Sequence, residues 1–576
     1  MFRSRLFRKA LLPASIAAMS LAFAAYAQFN PFPHSPRRPS HPLPPSYPWP
    51  GHGVSPQDAL PTATPIKHLV VIFGENRSFD HYFGTYPHAA NPPGEPHFRA
   101  APWTPHVHGL TPELLTQNPN KLNPANGDNA VNPFRLDRTQ ANTEGQNHSY
   151  TPEQLAYDDG KADLFPAHTG NNTVSTTGAF GTHGLVMGYF DGNTVTALWN
   201  YAQHFAMDDN AYTDTYGPST PGAVEVVSGT NNGAKIVLGS GSTIADGQGG
   251  LTLIGDTDPA YDVCSSTSST LMMSSKNIGD LLNAHHITWG GFMGGFDLTA
   301  TNPNGSTGCQ RSTYSSVLDA SPNDYVPHHN WFQYYPSTAN PTHARPTSVS
   351  LVGYTDPKDR SATPVHHEYD LHDFFNAVAS GNFPSVSYLK APAVGDAHPG
   401  NSDPLDEQAF IVSVVNFLEK QPDWKNTAVI VTYDDSDGWY DHRFASPNTS
   451  SFDPSADQLN GPGRCTGPHA RPGIGVNGGT VNGRCGPGTR IPFLVISPYA
   501  RANYVDGTQL TQSSVVRFIE DNWLHGERIG QGSNDAKAGS IMDMFDFRRR
   551  FGPFQQVPTL YLDPETGTEV ARHWHL

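Results

Sequence analysis

Charged residues and cysteines are scarce in this chain of 576 residues. Only 15% of the residues are Asp, Glu, Lys or Arg, and 52 acidic residues against 35 basic ones give a net charge of -17. This excess of negative charge argues against nucleic-acid binding and against a polybasic membrane-surface protein. Glycine and proline are abundant instead, at 54 and 52 residues, which indicates a globular protein with long connections between its core elements.

Long apolar runs are also missing. The apolar stretch at residues 11–23 is too short to span a bilayer, and no later run is long enough. Residues 1–27 have the basic start, apolar middle and A-Y-A ending of a secretory signal peptide, with a retained anchor as the alternative. We therefore expect a secreted or periplasmic protein. Residues 28–64, rich in Pro, Ser and His, predict a poorly ordered leader, and residues 65–576 a single elaborated domain.

The four cysteines fit export to an oxidising compartment. Their spacing matches no structural zinc pattern, and three disulfide pairings are open to them. We favour the pairs Cys264–Cys309 and Cys465–Cys485, because each would close one loop rich in Gly, Ser or Asn.

Short apolar runs alternate with helical patterns along the chain. The runs predict strands at residues 68–73, 204–207, 287–292, 385–389, 428–433 and 491–497. The helical patterns lie at 195–203, 276–285, 370–379, 409–419 and 513–522, and a further helix should run through residue 227 with Pro221 in its first turn. This alternation predicts an α/β fold, a mostly parallel sheet sandwiched by helices. Residues 87–147 and 297–346 lack a period and predict long loop excursions over the active face, and residues 446–489 predict a Gly/Pro-rich loop.

Polar residues follow two of the predicted strands at once. Glu75 and Asn76 come after residues 68–73, and Asp434 and Asp435 after residues 428–433. In an open α/β sheet, ligands collect at the carboxyl ends of the strands. Carboxylate and amide oxygens suit a hard divalent cation, so the four residues together predict a metal site rather than two solvated turns.

Ser219 lies in the phrase GPSTPG, at or just before the start of a predicted helix. Free N–H groups and the helix dipole favour an anion at that position. A plain helix cap is the alternative for this serine, and Thr220 is a rival hydroxyl. No G-x-S-x-G phrase occurs, which disfavours a serine esterase.

Three phrases, ENRSFDHYFG from residue 75, GPSTPG from residue 217 and TYDDSDGWYDH from residue 432, carry a resemblance to a known family. They resemble the motifs of the bacterial phosphoesterase family of phospholipases C and acid phosphatases, within the alkaline-phosphatase-like superfamily. The resemblance runs from about residue 66 to residue 522. It implies an alkaline-phosphatase-like fold and a phosphoesterase catalytic domain at residues 65–576. It also implies one divalent metal ion, of unknown identity, bound by Glu75, Asn76, Ser219, Asp434 and Asp435.

The resemblance also assigns roles to side chains. It implies that Ser219 is the nucleophile. His148 and His398 would be catalytic residues for proton transfer, and His328 and His329 would bind the substrate phosphate. These histidines match the family by chain order and short phrases, and a solvent-facing position is the alternative for each of them.

Two departures from the phospholipase pattern favour the acid phosphatase branch. Asp434-Asp435 stands where phospholipases usually have Asp-Glu, and Gly222 stands where they commonly have Asn. We expect an exported acid phosphatase that hydrolyses small phosphomonoesters through a phosphoseryl intermediate. The alternatives are a phospholipase C that cleaves phosphatidylcholine-type diesters, with membrane lipid as its partner, and a non-catalytic secreted protein stabilised by metal. The sequence leaves the natural substrate and the oligomeric state open.

Overall fold

An eight-stranded sheet forms the centre of the protein. The computed structural model describes residues 55–171, 173, 178–355, 366–551 and 557–570, so the predicted signal peptide and most of the predicted leader lie outside the described residues. In spatial order the strands are Glu368–Asp370, Trp289–Met293, Val386–Lys390, His68–Gly74, Thr427–Tyr433, Phe493–Ile496, Ala206–Asp208 and Tyr504–Asp506. Phe493–Ile496 is antiparallel to both of its neighbours, and the other adjacent pairs are parallel.

The central strand, His68–Gly74, is buried on both faces, as its unbroken apolar run predicts. Val71 is in register with Tyr388, whose hydroxyl donates to the Val226 carbonyl, so the helix Ser219–Ser228 covers that face. Gly74 is in register with Tyr433, whose hydroxyl donates to Glu407. Because neighbouring residues of a strand point to opposite faces, the helix that carries Glu407, Pro404–Leu418, covers the other face.

The predicted α/β class, a mostly parallel sheet between helices, is confirmed. Helix boundaries differ from the predicted ones by a few residues where a capping side chain sets them. Asp403 accepts from the backbone N–H groups of Leu405 and Asp406, so the helix predicted to begin at residue 409 begins five residues earlier. None of the helices in the described part of the chain has the length and apolar character needed to cross a membrane. The α-helices are Phe79–Phe83, Pro112–Thr116, Pro119–Leu122, Tyr150–Tyr157, Phe165–His168, Thr196–His204, Ser219–Ser228, Ile278–Ala284, Leu371–Ala379, Pro404–Leu418 and Ser513–Trp523.

A second sheet, which the sequence patterns do not predict, lies within residues 232–273. Its strands, in spatial order, are Thr243–Ala245, Leu251–Leu253, Asn232–Leu238, Thr270–Met273 and Asp258–Pro259. Four of them have at most four residues, and the register shifts in both pairings of the longer strand Asn232–Leu238, so no sustained two-residue period marks the sheet in the sequence. The loop predicted at residues 446–489 also contains a small sheet, of Thr449–Ser450, Arg471–Ile474 and Thr480–Val481.

Both favoured disulfides are present, Cys264–Cys309 and Cys465–Cys485. The first ties the second sheet to the long irregular segment after residue 297, and the second closes the loop that contains the small sheet. Of the predicted leader at residues 28–64, the structure describes residues 55–64. Ser55 and Thr64 are buried there, and their side chains bond to the Phe383 carbonyl and to Asn522, so this stretch packs on the domain.

Candidate functional site

Three adjacent parallel strands of the central sheet end at one place. The strand His68–Gly74 is followed by Glu75, and its neighbour Thr427–Tyr433 is followed by Asp434. On the other side, the strand Val386–Lys390 ends in a lysine. Parallel strands bring their carboxyl ends to the same edge, so two acidic segments and one ammonium group meet there.

Ser219 is the first residue of its helix and lies against this edge. Its hydroxyl oxygen is 3.3 Å from Glu75 Oε2 and 3.1 Å from Asp435 Oδ2. The rival hydroxyl of Thr220 donates instead to Asp256 Oδ1, at 2.9 Å. The geometry therefore favours Ser219 over Thr220 as the group that faces the acidic cluster.

The start of this helix offers fewer free N–H groups than the sequence suggests. The Thr220 N–H donates to Asp256 Oδ1 at 3.0 Å, and Pro221 has no N–H to offer. The N–H of Ser219 has no acceptor among the described residues. A phosphoryl group at this helix would therefore be received by the Ser219 N–H and by side chains, rather than by several backbone groups.

Asn76 connects the two acidic segments. Its backbone is in the left-handed region, with a φ of 63°, which asparagine tolerates better than most residues. Its N–H donates to Asp434 Oδ1 at 2.9 Å, and its Nδ2 donates to Asp437 Oδ1 at 3.1 Å. Asn76 Oδ1 and Asp434 Oδ2 are buried and have no hydrogen-bond partner in the part of the chain that is described. Two buried, unpaired oxygens on residues that are joined by a hydrogen bond suit a cation.

Buried negative charge exceeds buried positive charge at the site. Six carboxyl groups at the site are at most 3% exposed, those of Glu75, Glu153, Asp396, Asp434, Asp435 and Asp437. Lys390 is 1% exposed, and its Nζ contacts Glu75 Oε1 and lies 5.2 Å from the centre of the Phe73 ring. Lys390 and the buried Arg77, which donates to the Asn76 carbonyl, cannot balance six carboxyl groups, so the remainder need protons, imidazolium partners or a bound cation.

The carboxyl groups differ in how readily they ionise. Burial, and then the charge of Asp434, raise the pKa values of Glu75 and Asp435 well above their ordinary values. Burial also acts to raise the pKa of Asp434. The Lys390 charge and backbone N–H donors outweigh that effect, so the pKa of Asp434 is lowered. Burial also raises the pKa of Asp396 to about 7, against the effect of Lys390. Asp434 is thus the carboxyl group held most firmly in its charged form.

The four predicted histidines gather around this cluster. His329 Nδ1 lies 3.0 Å from Glu75 Oε1, and the His398 ring stacks on the His329 ring with centroids 5.8 Å apart. His148 Nδ1 lies 3.1 Å from Asp437 Oδ1. His328 packs edge-on against His329 but directs Nδ1 toward Asp258, at 3.5 Å, which puts it at the border of the site.

The histidines fall into two pairs by charge. Burial disfavours the imidazolium form of His148 and His328, but neighbouring carboxylates outweigh it and raise both pKa values, that of His148 strongly. Burial and adjacent positive groups lower the pKa of His329 well below its ordinary value, and burial also lowers that of His398. Two rings are thus suited to carry charge toward a phosphate, and two are suited to neutral roles, including metal binding.

Two overlapping sets of residues could hold a divalent cation. One is the predicted set, Glu75, Asn76, Ser219, Asp434 and Asp435, which contains the two unpaired oxygens. The other is Glu75, His329 and His398, whose ligand atoms lie within 4.8 Å of one another. Glu75 belongs to both sets, so either arrangement would place the cation beside the Ser219 hydroxyl.

The structure adds residues that sequence reasoning missed. Lys390 directly follows the strand predicted at residues 385–389 and ends the observed strand next to the central one. A lysine directly after a predicted strand is the signal that could have identified it. Glu153 is fully buried; its Oε2 accepts from the Gly217 N–H and its Oε1 from the Ser436 hydroxyl, both at 2.9 Å. It thereby connects the segment before Ser219 to the segment after Asp435. No local sequence pattern marks this contact.

Comparison with known proteins places the chain in a family. A model of the family described as Phosphoesterase matches residues 66–524. The chain is 23% identical over 517 residues to "Non-hemolytic phospholipase C" of Pseudomonas aeruginosa, covering 86% of this chain and 59% of that protein. It is 24% identical over 496 residues to "Phospholipase C A" of Mycobacterium tuberculosis, covering 84% of this chain and 78% of that protein.

Another relative, "Non-hemolytic phospholipase C" of Burkholderia pseudomallei, is 24% identical over 508 residues, covering 86% of this chain and 61% of that protein. The chain thus spans about three fifths of the length of two of these relatives. Among solved structures, a protein in the alkaline phosphatase superfamily from Vibrio parahaemolyticus is 12% identical, with 80% and 92% coverage and a TM-score of 0.26, too low to support a structural relationship. The family match covers most of the chain, and the chain therefore belongs to the Phosphoesterase family.

Proposed function

We propose that this protein is an exported, metal-dependent hydrolase of phosphate esters that uses Ser219 as its nucleophile, with phosphomonoesters as its preferred substrates. The observation that carries the proposal is the position of the Ser219 hydroxyl, at the start of a helix and within 3.3 Å of the buried carboxyl groups of Glu75 and Asp435. A serine that served only as a helix cap would not need two acidic partners from two different strands.

The proposed reaction has two displacements at phosphorus. In the first, Ser219 Oγ forms a bond to phosphorus while the bond to the ester oxygen breaks. The Ser219 proton passes to Asp435 or Glu75, whose carboxylate oxygens lie 3.1 and 3.3 Å from the serine hydroxyl oxygen. His148, which its carboxylate neighbours favour in the charged form, supplies a proton to the departing alcohol. Water then cleaves the phosphoseryl bond and releases phosphate.

The remaining residues would position the phosphoryl group. His328 and His329 would contact its oxygens, and His398 would share proton transfer with His148. Glu75, Asn76, Ser219, Asp434 and Asp435 would hold one divalent cation, whose contribution is to lower the pKa of the serine hydroxyl and to neutralise phosphoryl charge. The unpaired oxygens of Asn76 and Asp434 support this assignment.

Replacement of the nucleophile tests the proposal. We expect Ser219→Ala to lower kcat/KM for p-nitrophenyl phosphate at least about a thousandfold, because no other side chain can form the covalent intermediate. Thr220→Val is the matched control and should stay within about tenfold of wild type, since its hydroxyl faces Asp256. Wild-type-like turnover by a folded Ser219→Ala protein would contradict the assignment.

A second candidate, a phospholipase C that cleaves phosphatidylcholine-type diesters, is favoured by the names of the relatives. One structural observation also favours it. Ile236, Val237 and Leu238 are 39%, 54% and 44% exposed in the second sheet, which is unusual for three consecutive apolar residues. An apolar strand at the surface is what contact with a lipid interface would require.

A further inference from the structure

A polar cleft opens beside the start of the nucleophile's helix. Its volume is about 530 Å³, and Pro218 and His148 form part of its wall. One side comes from the segment around His148, with Asn147, Ser149 and Thr151. The other side comes from the second sheet, with Ser242, Thr243 and Asp256. An ester attacked by Ser219 would therefore have this cleft next to its phosphoryl group.

Asp256 is held firmly at the mouth of this cleft. Its Oδ1 accepts from the Thr220 N–H at 3.0 Å and from the Thr220 hydroxyl at 2.9 Å, directly after Ser219. Its carbonyl oxygen accepts from the Ser242 hydroxyl at 2.9 Å, which ties it to the second sheet. The residue is nevertheless exposed, so the carboxylate charge faces solvent and whatever enters the cleft.

Apart from His148, the charge among the described residues that line the cleft is negative and comes from Asp256. None of the described residues that line it is a lysine or an arginine. Its hydroxyl and amide side chains can bind the hydroxyl groups of an alcohol, and Tyr150, Pro152 and Ile254 add an apolar part to the lining. A leaving group with a negative charge of its own would approach Asp256, while the charge of the cleft's histidine, His148, is already paired with Asp437, 3.1 Å away.

We propose that this cleft is a subsite for the alcohol part of the ester, that it binds a neutral, hydroxylated alcohol, and that Asp256 excludes leaving groups with a second negative charge. This inference rests on the proposed phosphoester hydrolysis and specifies its substrate class.

Three esters of similar size test the subsite: glycerol 3-phosphate, 3-phosphoglycerate and n-propyl phosphate. We expect kcat/KM for glycerol 3-phosphate to exceed that for 3-phosphoglycerate about tenfold, because the two differ by a carboxylate in place of a hydroxymethyl group. It should exceed that for n-propyl phosphate about fivefold, because the cleft hydroxyls and amides then lack partners.

The variant Asp256→Asn keeps an acceptor for the Thr220 N–H and removes the charge. We expect it to reduce the ratio of kcat/KM for glycerol 3-phosphate to that for 3-phosphoglycerate to about threefold or less. The ratio of kcat/KM for glycerol 3-phosphate to that for n-propyl phosphate should not change. Glu569→Gln is the matched control for net charge, because Glu569 is also exposed. Glu569 forms a β-bridge with Leu562. The Leu562 carbonyl accepts from Asn416, which is in the helix on the other face of the sheet. Glu569→Gln should alter neither ratio.

A measurement on the wild-type protein keeps the test valid if Asp256→Asn does not fold. Raising NaCl from about 0.02 M to about 0.5 M should narrow the same ratio, because salt screens an exposed charge. Equal kcat/KM for all three esters, or a ratio indifferent to both the variant and salt, would overturn the subsite. Absence of hydrolysis of any phosphate ester would instead overturn the proposed function itself.

Discussion

Lys390 is the residue that most changes the interpretation of the site. It contributes a buried ammonium group at the end of a strand beside the central one, in contact with Glu75 and above the Phe73 ring. Acidic residues at strand ends attract attention in a sequence, whereas a lysine there resembles an ordinary surface residue. The structure shows that this lysine offsets part of the charge that the two acidic segments bring together.

Removal of this ammonium group should destabilise the protein. We expect Lys390→Met to lower the free energy of unfolding by about 3 kcal/mol, because it leaves buried carboxylate charge without its partner. Urea unfolding at neutral pH in the presence of a chelator measures this directly. The control is Lys425→Met, at an exposed lysine, which should change the value by less than about 0.5 kcal/mol. A loss below about 1 kcal/mol for Lys390→Met would show that the carboxyl groups are compensated in another way.

At the scale of elements, capping side chains set where the helices begin. Asp370 precedes the helix Leu371–Ala379 and accepts from the His372 N–H at 3.1 Å, while its other oxygen accepts from Arg311 Nη2 at 3.2 Å. Burial opposes ionisation, but the His372 and Arg311 partners outweigh it and lower the pKa of Asp370 to about 2. The charged form of Asp370 therefore stabilises the edge of the central sheet.

This cap gives a pH-dependent prediction. The pKa of Asp370 is lower in the folded protein than its ordinary 3.8, so its contribution is complete above about pH 4 and is lost as pH falls through about 2. We expect Asp370→Asn to lower the free energy of unfolding by about 2 kcal/mol at pH 7, and by much less at pH 2.5. Urea unfolding at both values checks it. Glu113→Gln, at an exposed residue in a first helical turn, should have no such pH dependence, and a deficit for Asp370→Asn equal at both pH values would contradict this account.

At the scale of the whole molecule, the fold class follows from periodicity, but the walls of the site do not. Glu75 and Asp434 could be placed at one edge because each follows a buried run, and parallel strands share that edge. Glu153 could not be found, because its partners Gly217 and Ser436 are 64 and 283 residues away in the chain. Asp256 was missed for a different reason: the strands around it are too short for a period to appear.

The choice between phosphatase and phospholipase depends on these walls. Of the aromatic residues in the two long excursions, Trp331 and Tyr334 are fully buried. Trp103 and Tyr314 are 94% and 50% exposed but lie in different excursions, so these aromatic residues form no continuous run. We expect soluble phosphomonoesters to be cleaved with a higher kcat/KM than phosphatidylcholine, and best at mildly acidic pH, where imidazolium groups neutralise phosphate oxygens. Assays of p-nitrophenyl phosphate and of phosphatidylcholine in mixed micelles measure the ratio. A higher kcat/KM for phosphatidylcholine would replace the phosphatase by the second candidate.

Gly222 lies one turn into the nucleophile's helix, and a Cβ atom at that position would be 2.1 Å from the Asp434 carbonyl oxygen. The helix therefore touches the backbone of the acidic segment itself, with no room for a side chain between them. In evolutionary terms, the effect of a substitution at position 222 depends on where the helix lies relative to the acidic segment. An asparagine cannot enter this position by a single replacement without pushing the serine away from the acidic segment. The position of the helix and the residue at 222 must therefore change together.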